Sequence, residues 1–88
     1  VMGYITESFI KADKIERLAD NIAIDIENSL IEGDSEKFFM DVINDPYALK
    51  LLSRLFSDRN QRHEYDMRHS MTCIIDCVAR NRAEKEVD

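Results

Sequence analysis

Only three residues in this 88-residue chain can punctuate the backbone sharply: Gly3, Gly33 and Pro46. Hairpins and barrels need a glycine- or proline-type turn at nearly every chain reversal, so a sequence this poor in them has few ways of building a sheet. Helices joined by short connections are the remaining option, and the expected fold class is all-α. Hydrophobic residues make up 44% and charged residues 34%, which is too apolar for a disordered chain. A chain of this length hides only around 60 to 65% of its unfolded surface when it folds, so a lone core is thin.

Apolar spacing gives the helices their phase. Ile15, Leu18, Ala19, Ile22, Ile26 and Leu30 recur at three and four, and at ~100° per residue they stay within about 60° of Ile15. A first helix is therefore expected from about Asp13 to Glu32, with residues 1–12 as an N-terminal segment that could add a turn from Thr6 or Ser8. Asp13 and Glu16 resemble a capping box, and Gly33 supplies a left-handed stop. A short second helix runs from Asp34-Ser35-Glu36 through Phe38, Phe39, Met40, Val42 and Ile43. Because neighbouring residues on a helix face different ways, one of the two phenylalanines is expected near the surface.

Asp45 suits the cap of a third helix, and Pro46 its first position, where a missing N–H costs no hydrogen bond. This helix is expected from Pro46 to about Phe56, burying Ala48, Leu49, Leu52, Leu55 and Phe56. A fourth is expected from about Asn60 to Asn81 with Met67, Met71, Ile74 and Val78 in one stripe, followed by a frayed polar tail over 82–88. The whole reads as one domain over residues 1–88. It is a compact bundle of four helices, two long and two short, with a core thin enough to be completed by dimerisation.

The charge is uneven. Residues 1–45 carry eleven acids against Lys11, Lys14, Arg17 and Lys37, whereas residues 46–88 carry seven acids and eight bases, for a total of −6. A net acidic chain is repelled by phosphate backbones, so a helical nucleic-acid-binding domain would depend on a local patch from Arg54, Arg59, Arg62 and Arg68. No run approaches the roughly 20 apolar residues of a membrane span, and no basic-then-apolar leader opens the sequence. A cytoplasmic protein with no membrane partner and with free cysteine thiols is expected.

Residues 62–77, "RHEYDMRHSMTCIIDC", hold both histidines and both cysteines. His69, Cys73 and Cys77 are spaced by four, yet His69 and Cys77 would lie ~12 Å apart along a straight helix, too far to share one zinc ion. Cys73 and Cys77 are a marginal metal pair that would need a second chain to complete four ligands, and a thiol or metal sensor built on them is a competing function. His63-Glu64 opens like a zincin motif, but the required second histidine is Met67. Asp66 and His69 can pair on a helix surface without a nucleophile beside them. No glycine-rich phosphate loop is present. No cofactor, metal or catalytic residue is expected, and the chain is read as a non-enzyme.

The informative misfits are Ile24 and Ile31, which fall ~160 to 180° from the buried stripe of the first helix. Asp20, Glu27 and Arg17 surround them, together with Asp13 and Asn28. Either the N-terminal segment (Tyr4, Ile5, Phe9, Ile10) or the fourth helix covers them, or they form a partner surface. Asp13, Asp20, Glu27 and Asp34 recur every seven residues, an acidic row that could enter a basic groove on another protein. The expected function is a small acidic protein-binding module, a regulator, inhibitor or assembly factor of another protein, forming a homodimer through an apolar helix face. By analogy alone, such chains suit bacterial or phage accessory proteins.

Overall fold

The computed structural model describes residues 2–57 and 64–87, with side chains placed over 7–57 and 68–87. All regular structure among the described residues is helix: α1 spans Met2–Ile31, α2 Glu36–Ile43, α3 Pro46–Ser57 and α4 Glu64–Val87. The long helices α1 and α4 form the main packing pair, and α2 and α3 close the bundle against α4. Leu30 and Ile31 lie beside Met71, Thr72 and Ile75, while Glu16, Ala19 and Asp20 lie beside Asp76 and Arg80, so α1 and α4 run in opposite directions.

The core is Ile26 from α1, Phe38 and Val42 from α2, Ala48 and Leu55 from α3, and Ile74, Ile75, Val78 and Ala79 from α4. Every residue of the expected α1 stripe is buried or half-buried. The reversal after α1 is built as expected on Gly33, at φ 86°. Asp34 N–H donates to Ser29 O at 2.8 Å and Gly33 N–H to Leu30 O at 3.1 Å, the paired bonds of a Schellman stop. Asp45 caps α3: its Oδ1 accepts Tyr47 N–H at 3.0 Å and Ala48 N–H at 3.3 Å. Of the two phenylalanines, Phe38 is buried and Phe39 is exposed, their rings edge to face with centroids 5.5 Å apart.

Several boundaries and faces differ from the sequence reading. α1 begins at Met2, so residues 2–12 are helix rather than a separate segment, and Asp13 is an interior residue whose carboxylate pairs with Arg17 one turn on, at 3.1 Å. A cap preference is local and weak; nothing in residues 4–12 breaks the helix, so propagation across Asp13 wins. In α3, Leu49 and Phe56 are exposed and Leu51 is half-buried instead. α4 does not fray at Arg82: Ala83 is fully buried, and Arg82 forms an ion pair with Asp41 that ties α4 to α2. The Met67 side chain and residues 58–63, which include the expected start of the fourth helix near Asn60, lie outside what the structure describes.

Candidate functional site

Ile24 and Ile31 are 55% and 83% exposed, on the side of α1 opposite Ile26. The N-terminal residues cannot fold back over them, because they continue the same helix away from this point. Placing α1 as one helix from Met2 also adds Ile10, 51% exposed, to the same line: Ile10, Arg17, Ile24 and Ile31 follow at steps of seven. A seven-residue step drifts only ~20° around a straight helix, so these four side chains form a nearly axial seam. The sequence held this signal, but reading residues 1–12 as separate hid it.

The seam is flanked by a second row at the same step, Asp13, Asp20 and Glu27, all exposed. With Arg17 held by Asp13, the face presents isolated isoleucines in a field of net negative charge. Fully covering an isoleucine is worth about 1.5 to 3 kcal/mol, and a complementary charge along the rim guides approach and register. Asp34, the next acid in the sevenfold row, sits in the turn beyond Gly33 and leaves the helix line.

Ile31 also borders a groove of about 860 Å³ between α1 and α4, lined with Leu30, Met71 and Ile75 and with Glu27, Arg68 and Thr72 as its polar members. The seam therefore opens at its C-terminal end into a concave apolar surface. An amphipathic helix seated on the seam could drop one apolar side chain into this groove.

A second cluster lies where α3 starts against α4. Asp45 is buried, and its Oδ2 accepts the Cys77 thiol at 3.4 Å and the Asn81 amide at 3.4 Å. Burial, the hydrogen bond to Asp45 and the Asp45 charge together push the Cys77 thiol from an ordinary 9.0 up to about 11. Metal binding and disulfide exchange both require the thiolate, so this arrangement disfavours them at Cys77. Cys73, one turn earlier, is exposed, with its Sγ 3.9 Å from His69 Nε2. It opens onto a shallow cleft of about 560 Å³ shared with Tyr47, Leu51 and Arg80. Both cysteines are free thiols.

Among the described residues, no three His, Cys, Asp or Glu side chains converge to hold a metal ion, and no helix is long and apolar enough to cross a membrane. Arg54 is exposed in the last turn of α3, and Arg68 borders the α1–α4 groove near Glu27. Arg59 and Arg62 lie outside the described residues, as do His63 and the Asp66 side chain. Sequence reasoning missed the Asp45–Cys77–Asn81 contact because its members are 32 and 36 residues apart and nothing local joins them. Comparison with protein-family models, with curated proteins and with solved structures finds no match.

Proposed function

We propose that this chain is a small acidic protein-binding module without enzymatic activity, acting as a regulator, inhibitor or assembly factor of another protein. Its binding face is the outward side of α1, with Ile24 and Ile31 as apolar anchors and Arg17, Asp20 and Glu27 around them. The observation that supports this most is the exposure of both isoleucines in one line with Ile10, beside an exposed acidic row. Scattered surface isoleucines are ordinary, but a helical line of them beside a groove is the pattern that receives a partner helix. The charge of the face selects a partner segment whose apolar stripe is edged by lysine or arginine, and it disfavours nucleic acid. The Asp45 contact at Cys77 weighs against a thiol or metal sensor.

The test uses two baits in parallel, the wild-type chain and Ile24→Asp/Ile31→Asp, incubated with extract from cells that express the protein. A partner retained by the wild type, lost from the double variant and released faster as salt rises is the expected result. Identical capture by both baits would place binding elsewhere and overturn the assignment of this face.

A further inference from the structure

The described histidine and the two cysteines of α4 can be paired in three ways, and the structure separates them. His69 and Cys77 are two turns apart, ~12 Å along the axis, and cannot meet at one ion. Cys77 is half-buried with its thiol donating to Asp45 Oδ2 at 3.4 Å, so drawing it into a pair with Cys73 would break that contact. His69 and Cys73 are both exposed, and their donor atoms already face each other across one turn, Sγ to Nε2 at 3.9 Å.

That spacing is close to the one a metal ion imposes. A tetrahedral zinc ion bonds sulfur at ~2.3 Å and imidazole nitrogen at ~2.0 Å, which sets the two donors about 3.5 Å apart. The difference from 3.9 Å is within reach of small torsional changes in two exposed side chains. As a hydrogen bond the same contact is long, and a thiol is a weak donor. An ion would take the place of the thiol proton, which passes to solvent, and the sulfur becomes a thiolate ligand. Sulfur and imidazole donors select zinc over magnesium or calcium, which take oxygen.

The surroundings also favour a cation. The chain carries a net charge of −6, and Asp76, exposed three residues after Cys73, lines the same cleft, although Arg80 beside it offsets part of that charge. We propose that His69 and Cys73 form a surface site for a divalent ion of the zinc type, with Nε2 and Sγ as protein ligands and water in the remaining positions. Two protein ligands make the ion exchangeable, whereas structural zinc sites are closed by four. The site leaves the Asp45 contact at Cys77 untouched and does not depend on the binding face proposed on α1.

Cobalt(II) serves as the probe, because a cobalt–thiolate bond absorbs in the near ultraviolet whereas a bound zinc ion is silent there. Titration of the reduced full chain is expected to give that absorption with one ion per chain, displaced by zinc and retained in excess magnesium. His69→Ala and Cys73→Ser should each weaken binding by about tenfold or more, at least what losing an outer hydrogen-bond partner of a metal ligand costs. Both positions are exposed, so these variants should keep their helical circular dichroism, and Cys77→Ser should bind as the wild type does. The proposal fails if the wild type shows no thiolate absorption up to about 1 mM cobalt(II). It also fails if Cys77→Ser removes the absorption while the chain stays helical, or if His69→Ala binds as tightly as the wild type.

Discussion

Asp45 joins two helices through one buried side chain. One oxygen caps α3 and the other receives Cys77 and Asn81, so the start of one helix and the middle of another share a buried carboxylate. Asp45→Ala removes the cap and leaves the thiol and amide without their acceptor, and it should destabilise the fold by about 2 kcal/mol, measured by urea denaturation. Cys77 reports the same contact through pH. Its folded-state value is raised to about 11, so the stability it contributes is fully present below about 9 and is lost as pH rises from there through about 11. Across that window the wild type should lose more stability than Cys77→Ala. In thiol labelling of the native protein at pH 8, Cys73 should react well ahead of Cys77, and equal rates would contradict the Asp45 contact.

At the scale of the element, α1 is one helix in two different environments. From Leu18 to Leu30 it is anchored by its buried stripe, whereas every side chain over residues 7–14 is exposed. A helical stretch that buries none of its side chains depends mainly on its own propensity, which is marginal at this length. Amide hydrogen exchange over residues 7–14 should therefore be at least tenfold faster than over residues 22–30, read by mass spectrometry on peptide fragments. The other end of α1 is held by a conformation rather than by packing. A Cβ at Gly33 would meet nothing within 4 Å, yet φ there is +86°. Gly33→Ala should cost about 1 to 2 kcal/mol purely through the left-handed backbone, with Gly33→Asn costing less, both measurable as shifts in thermal unfolding.

The whole molecule is elongated, 52 Å along its long axis against 26 and 22 Å, and Ile10, Ile24 and Ile31 stand exposed along its longest helix. On the reading proposed above, the acidic rim of the α1 seam suits a partner segment edged by lysine or arginine. Ile24→Asp/Ile31→Asp should leave helix content and unfolding temperature close to wild type, because both side chains are mostly exposed. A cooperative loss of helicity in that variant would mean that both are buried, against their exposure here.

The sequence by itself determined the helical class, the buried stripe of α1 and the punctuation, with the stop at Gly33 and the cap at Asp45; it left open whether Ile24 and Ile31 were covered. The features it determined depend on spacing along the chain and on backbone chemistry within a few residues, and such terms act before any tertiary contact forms. Tertiary structure decided which part of each apolar arc was covered. Leu49 and Phe56 have the same hydrophobicity buried or exposed, and only the position of α4 leaves them out while taking in Ala79 and Ala83. It also decided where α1 begins, since an acidic residue such as Asp13 serves a cap or an ion pair equally well. The partnership of Asp45 with Cys77 was decided at that level too, because a contact between residues 32 apart exists only once two helices have packed.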